Sequence, residues 1–523
     1  MAKKNHRGLL LIAALGVIGV LCALFMTKWG VGLSPDSLVY IEGARNLSRG
    51  QGYTDLAPDG DPKSIVHFPP LFSSLMAVLG VFGIDPMEGA RWLNALFFGA
   101  SVTLVGVWIY RVTGGATWPS LFGSFLMLTG SNMLVSYTMA WSEPAFIFFS
   151  LSGLILLATY IGKPSPPVLV ASALTIGLAF LTRYVGVALV VAATIGLLAL
   201  SKRSYPKRLF DCVLLGAVSA LPMALFVVRN QAVVGGASDM KMGFHPVSID
   251  HFKSALETAS GWLAPGAVPF FVRVSLLLVA AGCLAMSTLM LRRQGGAKYG
   301  DAPGAAARAR ALLAIFILVY CLGLAFFITF FSFDIGLDTR TLLPVQVLSI
   351  ILVSYWAYGL ISSPRVSRPL RALAIVIGLG FALSYLARGA QVAVLTHRDG
   401  QGYAGRAWRE SEVLRKVRAL PSDARIYANV PSVVYHLTGR TARGIPNKFD
   451  PHAMSANREY QSELALLKER LGQEGGVLVY LNRIKLKHLP SENELKEGLA
   501  PRSVEVAADG SIYELAAENK ARS

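Results

Sequence analysis

The sequence predicts a polytopic helical membrane protein with a small α/β domain at its C-terminal end. Of its 523 residues, 54% are hydrophobic and only 15% are charged, whereas a soluble protein carries about a quarter charged residues. Apolar runs recur from residue 9 to about residue 387, many near the ~20 residues that a helix needs to cross a bilayer. After residue 388 these runs stop. The spanning part is therefore expected to be all-α.

Eleven apolar segments are predicted to span the membrane: 9–27, 91–111, 117–133, 144–161, 167–181, 184–200, 209–229, 269–291, 311–331, 340–360 and 371–387. A further segment, 68–84, has only ~17 residues and two prolines, at the bottom of the spanning range. If it does not span, five basic loops share the side of the N-terminus, whereas a span here would turn all five outward, against the positive-inside rule. We therefore expect 68–84 to lie along the outer surface, within one long first external loop of about residues 28–90.

This topology predicts a multi-pass protein of the inner (plasma) membrane with a cytoplasmic N-terminus. The formal net charge of +18 is then explained by lysines and arginines in the cytoplasmic loops, and no nucleic-acid partner is predicted. Residues 1–387 form the predicted transmembrane domain, which includes the first loop, and residues 388–523 form a periplasmic domain. In that domain ESEVLRKVRAL reads as a helix, ARIYANV and GGVLVYLNR read as strands, and SVEVAADGSIYEL reads as a hairpin.

Several ionisable residues are expected on the outer face, at the starts or breaks of spans. Placing an ionisable side chain at membrane depth costs free energy, so such residues are by default candidates for a functional role. They are Asp36 in SPDSLVYIEG, His67 before Pro-Pro, Glu143 in SEPAF, Arg183 in FLTRYVG, Asp334 and Asp338, and Arg340 in TRTLLP.

Each of these residues also has a purely structural interpretation. Ser34-Pro35-Asp36 and Ser142-Glu143-Pro144 are both typical helix starts, with a capping serine, a proline and an acid in the first turn. Arginines near span ends can extend to lipid headgroups. A lone histidine is more often structural, and Arg91 and Asn94 can be polar groups that pack helices.

A functional interpretation explains the residues together. An ionised carboxylate at a helix start can accept a proton from an attacking hydroxyl. Arginine presents forked donors that match a phosphate and stabilise the charge that it gains when a sugar–phosphate bond breaks. A lipid-phosphate sugar suits such a site because its tail stays in the bilayer.

In the order and spacing of these motifs over about residues 1–350, the chain resembles the C-type (GT-C) membrane glycosyltransferases. The nearest groups are the protein O-mannosyltransferases and the lipid A aminoarabinose transferases. The segments that carry the resemblance are SPDSLVYIEGARNLSRGQGY, HFPPL, GARWLNALFFGA, SEPAF, LAFLTRYVG and TRTLLPV.

The resemblance implies an inverting transfer of a sugar from a polyprenyl-phosphate donor at the periplasmic face. It carries over Asp36 as the base, Glu143 as a second catalytic acid, and Arg183 and Arg340 as phosphate contacts. The further substrate contacts that we predict are Tyr40, His67, Arg91 and Asp338.

The sequence departs from the family pattern at Asp36, which is followed by Ser37 where protein mannosyltransferases usually carry Asp-Glu. It also lacks their β-trefoil domain. We therefore favour an envelope glycan or lipid over a protein as the acceptor. Asp36, His67 and Glu143 could bind a divalent metal, but their spacing is no metal signature. A metal-independent site without a cofactor is expected.

Other classes of protein remain as alternatives. A transporter or flippase would show repeat symmetry and charges near the bilayer midplane. A lipid-linked glycan ligase or polymerase would carry its large external loop late in the chain. In a non-catalytic scaffold that displays the tail, the loss of Asp36 would have no effect on any transfer. In the tail, Tyr427, Asn429 and Tyr435 are candidate acceptor contacts or structural residues. The sugar, the isoprenoid length and the oligomeric state stay open.

Overall fold

The structure, a computed structural model, describes residues 6–56, 62–238, 242–244, 246–293, 303–331, 336–364, 366–450, 455–484, 488–499 and 502–514. Asp334 lies outside the described residues.

Helices dominate the described chain. In chain order they are α1 (His6–Met26), α2 (Pro35–Ser48), α3 (Leu71–Val81), α4 (Pro86–Val112), α5 (Thr117–Thr129), α6 (Ser131–Tyr137), α7 (Glu143–Gly162), α8 (Pro166–Thr182), α9 (Val187–Leu200), α10 (Tyr205–Val234), α11 (Ile249–Leu263), α12 (Phe270–Arg293), α13 (Pro303–Phe330), α14 (Leu343–Ser362), α15 (Arg368–Asp399), α16 (Arg406–Arg409), α17 (Glu412–Ala419), α18 (Pro431–Thr438), α19 (Tyr460–Glu474) and α20 (Glu492–Leu499). A 3-10 turn, Tyr184–Gly186, precedes α9.

The strands are short. They are β1 (Thr54–Leu56), β2 (Pro62–Ser64), β3 (Ile426–Ala428), β4 (Ala442–Gly444), β5 (Phe449–Asp450), β6 (Ser455–Ala456), β7 (Val477–Leu481), β8 (Arg502–Ala507) and β9 (Gly510–Glu514).

Each of the eleven predicted spans coincides with helical structure. Within the described residues, seven helices are long and apolar enough to cross a membrane by length and composition: α1, α4, α7, α10, α13, α14 and α15. The polytopic helical fold is therefore confirmed, and the number of spans stays a prediction.

One predicted span, 117–133, is not a single helix. Gly130 adopts an extended backbone, with φ −64° and ψ 119°, and separates α5 from α6. Glycine loses more conformational entropy in a helix than other residues, so a break is least costly there.

The segment 68–84 contains only α3, which has 11 residues. At a rise of 1.5 Å per residue this helix covers about 16 Å, roughly half of the ~30 Å hydrocarbon core. It packs against α4 and α8 through a face that buries Phe72 and Met76. Its length agrees with a surface segment and not with an independent span.

The chain divides into two compact units by its internal packing. Unit 1 comprises residues 1–31 and 66–398, and unit 2 comprises residues 32–65 and 399–523. The predicted domain boundary at residue 388 therefore falls inside α15, which runs on to Asp399. The middle of the predicted first loop, residues 32–65, also belongs with the C-terminal residues and not with the transmembrane domain as predicted.

Unit 1 is a bundle in which α1 packs along α4, α7 along α8, and α8 along α10. The α1–α4 contact brings two backbones together: a Cβ added at Gly99 would lie 2.4 Å from the carbonyl oxygen of Gly16. Small residues at such positions let membrane helices approach closely.

Unit 2 contains a mixed five-stranded sheet in the order β4-β3-β7-β9-β8. Strand β3 pairs in parallel with β4 and β7, whereas β9 is antiparallel to both β7 and β8. The predicted tail helix, both strands and the hairpin are all present. Residues of α19, α20 and the sheet form its core, including Tyr427, Leu471, Leu478, Leu499 and Tyr513.

A backbone contact within unit 2 joins the start of the loop to the C-terminal residues. Leu33 and Gly402 form a parallel β-bridge, and the Tyr403 amide donates to the Leu33 carbonyl at 2.9 Å. Gly402 has a φ of +54°, and a Cβ there would lie 1.8 Å from the Leu33 carbonyl oxygen. No side chain fits this position without moving the backbone.

We expect Gly402→Ala to lower the free energy of unfolding of unit 2 by about 3 kcal/mol. The left-handed backbone alone costs about 1 to 2 kcal/mol for a residue with a Cβ, and the clash adds to it. The control is Gly439→Ala, where φ is +73° but nothing lies within 4 Å of the added Cβ. Denaturant unfolding of both variants checks this, and equal losses would contradict the role of the bridge.

Candidate functional site

Glu143 is the centre of a charged cluster in unit 1. It begins α7, where Pro144 occupies the first turn, and its side chain is only 1% exposed. The segment before it is fixed from α4, because the buried Asn94 amide donates to the carbonyls of Met139 at 2.7 Å and Trp141 at 3.3 Å. The carboxylate is thus held in place by two separate helices.

Arg183 reaches Glu143 from the break after α8. Its backbone is extended, with φ −152° and ψ 136°, so the chain turns out of the helix at this residue. The Nη1 atom lies 2.6 Å from Glu143 Oε1 and donates to Ser142 Oγ at 3.3 Å. The side chain remains 21% exposed.

Arg340 reaches the same carboxylate oxygen from the turn before α14. Its Nε donates to Glu143 Oε1, and its guanidinium carbon lies 4.4 Å from the centre of the Trp141 ring. The side chain is 23% exposed. One buried carboxylate therefore holds two partly exposed guanidinium groups, and the three side chains carry a net charge of +1.

Asp338 organises the turn that carries Arg340. Its Oδ1 accepts the amides of Arg340 at 3.0 Å and Thr341 at 2.9 Å. Through these two bonds the Asp338 carboxylate caps the turn that carries Arg340. They favour a positioning role over the predicted direct contact with substrate.

His67 follows Val66, whose carbonyl is hydrogen-bonded to Tyr184, the residue after Arg183. The Tyr184 hydroxyl donates to the Val66 carbonyl at 2.6 Å, and the His67 ring packs on Phe68 with centroids 4.5 Å apart. The segment that carries His67 is therefore tied to the turn after Arg183.

Arg91 has structural partners. It donates through Nε to Thr27 Oγ1 at 3.1 Å, through Nη1 to Glu88 at 2.9 Å and through Nη2 to the Leu24 carbonyl at 3.4 Å. It thus fastens α4 to the C-terminal end of α1. This pattern favours the structural interpretation of Arg91 over a substrate contact.

Asp36 belongs to unit 2, at the start of α2. Ser34 caps this helix by accepting the Ser37 amide at 3.4 Å, and Pro35 precedes Asp36 in the first turn. Asp36 is partly exposed. The predicted helix start is observed, and the catalytic role of Asp36 stays a prediction.

Other predicted contacts in unit 2 are part of its interior. Tyr40 is 1% exposed, and Tyr427 is 3% exposed within the core of the sheet. Asn429 donates to the Leu481 carbonyl at 3.1 Å and accepts the Leu481 amide at 3.0 Å, so it extends the pairing of β3 with β7. All three fit packing roles, whereas Tyr435 is partly exposed.

Within the part of the chain that the structure describes, no three His, Cys, Asp or Glu side chains converge as metal ligands would. Metal independence stays a prediction for this site.

No protein-family model and no curated protein sequence matches the chain. Solved structures do. ArnT from Cupriavidus metallidurans in the apo state matches at a TM-score of 0.57 and 13% identity, over 96% of this chain and 97% of that one. The same enzyme bound to undecaprenyl phosphate matches at 0.55 and 13%, over 97% and 98%.

Two further structures are similar. The oligosaccharyltransferase AglB from Archaeoglobus fulgidus, in complex with an inhibitory peptide and a dolichol-phosphate, matches at a TM-score of 0.52 and 13% identity, over 90% of this chain and 69% of that one. Arabinofuranosyltransferase AftD from Mycobacteria matches at 0.51 and 14%, over 97% and 40%. This chain has the GT-C fold. The predicted fold class is thereby confirmed.

Within this GT-C fold, Trp141 was not predicted as part of the cluster, although its ring centre lies 4.4 Å from the Arg340 guanidinium carbon. Tyr184, whose hydroxyl donates to the Val66 carbonyl, was not predicted either. Trp141 stands two positions before Glu143 in WSEP, and Tyr184 stands next to Arg183 in TRY. An aromatic residue beside a charged one at a helix break is a weak signal, because such residues are common at membrane interfaces.

Glu143→Gln is expected to lower the free energy of unfolding by about 2 to 3 kcal/mol, because two partly exposed guanidinium groups lose the buried carboxylate that they share, and a hydrogen bond to a charged group contributes about 1.5 to 3 kcal/mol. The matched control is Glu88→Gln. Glu88 forms an ion pair with Arg91 in which the Arg91 side chain is 25% exposed and the Glu88 side chain is 44% exposed. A pair this exposed contributes less than about 1 kcal/mol. Chemical unfolding in detergent measures both, and similar losses would show that Glu143 does not hold the cluster together.

Proposed function

We propose that the protein is an inverting glycosyltransferase that moves a sugar from a polyprenyl-phosphate donor to an acceptor hydroxyl. The observation that carries this proposal is the pair of partly exposed arginines, Arg183 and Arg340, held by one buried carboxylate at the helix ends of a GT-C fold.

The charge of the cluster suits this donor. A polyprenyl-phosphate sugar is a phosphodiester with one negative charge, and the leaving polyprenyl phosphate gains a second as the sugar–oxygen bond breaks. Guanidinium donors already in place bind the developing charge more strongly than the starting charge. Arg183 and Arg340 are therefore proposed to bind the phosphate and to lower the barrier to its departure.

Glu143 then acts as a positioning residue, in place of the catalytic acid suggested by the resemblance. Its Oε1 is paired with the guanidinium groups of both arginines, and its side chain is almost completely buried. A carboxylate so engaged is poorly placed to take a proton from an acceptor. It instead fixes the separation of the two guanidinium groups and offsets part of their charge.

The acceptor half of the reaction needs a base. The acceptor oxygen bonds to the anomeric carbon, the bond from that carbon to the phosphate oxygen breaks, and the configuration inverts. The acceptor proton passes to a carboxylate. Asp36, partly exposed at a helix start, is our candidate for that carboxylate.

Two of the similar structures support the nature of the donor. ArnT was solved with undecaprenyl phosphate, and AglB with a dolichol-phosphate. We propose a polyprenyl-phosphate sugar here as well, used at the periplasmic face of the inner membrane, with a cytoplasmic N-terminus. An envelope glycan or lipid is the proposed acceptor, without a metal cofactor.

The test uses the purified full chain in nanodiscs with a panel of radiolabelled polyprenyl-phosphate sugars. We expect at least one donor to lose its sugar to water or to an added acceptor. The anomeric configuration of the product, read by NMR, should be inverted. Movement of intact donor across the bilayer of a proteoliposome, without cleavage, would instead support a flippase.

A further inference from the structure

A partly exposed aromatic pair in unit 2 lies on the segment that is bonded to the start of α2. The Tyr403 amide donates to the Leu33 carbonyl at 2.9 Å, three residues before Asp36. Gly402 permits this approach, because any Cβ there would meet Leu33 at 1.8 Å. The backbone contact therefore fixes where Tyr403 sits relative to the first turn of α2.

The electrostatics of Tyr403 agree with this placement. Burial, and secondly the negative charge of Asp36, raise the pKa of the Tyr403 phenol. The phenol therefore stays protonated at neutral pH, so its hydroxyl can donate a hydrogen bond to a bound ligand.

Trp408 completes the pair from the next turn of chain. Its ring meets that of Tyr403 edge to face, with centroids 5.4 Å apart and an angle of 87°. The Arg483 guanidinium carbon lies 5.9 Å from the Trp408 ring centre. The two rings are partly exposed, whereas the core aromatics Tyr427 and Tyr513 are 3% and 2% exposed.

This set of groups has the chemistry that recognises a sugar ring. A pyranose has an apolar face of C–H groups, which stacks on an aromatic ring, and an edge of hydroxyls, which needs donors and acceptors. Trp408 and Tyr403 offer the aromatic surface. Arg483, the Tyr403 hydroxyl and the Asp36 carboxylate offer polar partners.

We propose that Tyr403 and Trp408 form the acceptor subsite, and that the acceptor group is a pyranose whose hydroxyl is presented to Asp36. The proposal rests on the proposed function and narrows its acceptor to a carbohydrate, either a free glycan or the sugar headgroup of a lipid. A serine or threonine of a protein would not need this aromatic surface.

The first experiment measures binding without any donor. The full chain in nanodiscs is mixed with methyl β-glucopyranoside or methyl α-mannopyranoside, and saturation-transfer NMR reports contact. We expect the wild type to bind at least one probe and Trp408→Ala to bind it about tenfold more weakly, as the loss of one aromatic contact implies. Phe449→Ala, which truncates a partly exposed aromatic side chain in β5 of unit 2, is the control and should bind normally.

The second experiment measures turnover with a cleavable donor, following sugar transferred to the probe and sugar released to water. Trp408→Ala and Tyr403→Ala should each lower the ratio of sugar transferred to the probe to sugar released to water about tenfold. Tyr403→Phe, which keeps the ring, should fall between these variants and the wild type. Unfolding curves confirm that each variant is folded.

The outcomes separate the two proposals. If the probes bind through Trp408 but no donor is cleaved, the subsite stands and the transferase function fails. If donor is cleaved and the variants leave both binding and the transfer ratio unchanged, the subsite is wrong. Transfer to a serine-containing peptide in preference to both glycosides would also overturn the carbohydrate assignment.

Discussion

Asp36→Asn is expected to slow sugar transfer at least about a hundredfold while the affinity for the donor stays within about twofold. Asparagine keeps the size of the side chain but cannot accept the proton of the acceptor hydroxyl, and general-base catalysis typically contributes about 10² to 10⁴ in rate. Ser34 and Pro35 still begin α2 in this variant, so the helix start should persist.

The rate is measured with the donor identified from the panel, under saturating donor, and donor affinity is measured separately. Asp55→Asn, in β1 of the same loop, is the matched control and should turn over normally. Equal rates for Asp36→Asn and the wild type would show that Asp36 serves only to begin α2. The assignment of the base would then be wrong.

Removing either arginine of the cluster is the second change with a large expected effect. Arg183→Ala and Arg340→Ala should each lower kcat/KM about 10² to 10³-fold, the usual loss when one donor to developing charge is removed. Lysine substitutions should recover only part of the rate, because lysine lacks the planar fork that fits a phosphate and bridges it to a carboxylate.

The control for these variants is Arg111→Ala. Arg111 lies in the last turn of α4, and its Nη1 donates to Thr159 Oγ1 at 3.3 Å in an exposed position. Its removal should change kcat/KM less than about twofold. A rate at Arg340→Ala close to that of Arg111→Ala would show that the cluster is only a structural ion pair.

Much of the fold could be predicted because the bilayer imposes long apolar segments on the sequence. Every predicted span coincides with helical structure, and the strands ARIYANV and GGVLVYLNR correspond to β3 and β7. The break at Gly130 was not predicted, because the segment is apolar on both sides of it and hydropathy does not report backbone conformation. The extension of α15 to Asp399 was not predicted, because hydropathy does not show where a helix ends in polar surroundings.

The residue types of the candidate site could also be predicted, but their pairing could not. Charged groups at helix starts identified Glu143, Arg183 and Arg340, while the contact of both arginines with one oxygen depends on the packing of α7, α8 and α14. Arg91 had the same sequence character, yet its partners are Thr27, Glu88 and the end of α1. Only the fold distinguishes these two uses of an arginine.

The division into units was hidden for a similar reason. Residues 32–65 follow the first span directly, which suggested a loop of the transmembrane domain. Their partners are instead 399–523, through contacts such as Leu33 with Gly402 and Arg45 with His436, the latter with Arg45 Nη1 and His436 Nδ1 at 3.3 Å. Pairings between residues that are hundreds of positions apart leave no local pattern in a single sequence.

The central claim is that Arg183 and Arg340 form a phosphate site for a polyprenyl-phosphate lipid. The most direct measurement is the equilibrium binding of undecaprenyl phosphate to the full chain in nanodiscs, for the wild type, the Arg183→Ala/Arg340→Ala double variant and Arg111→Ala. We expect the double variant to lose affinity at least about a hundredfold, since each charge-assisted contact to a phosphate contributes about 1.5 to 3 kcal/mol, while Arg111→Ala binds as the wild type does. Undiminished binding by a folded double variant would contradict the claim.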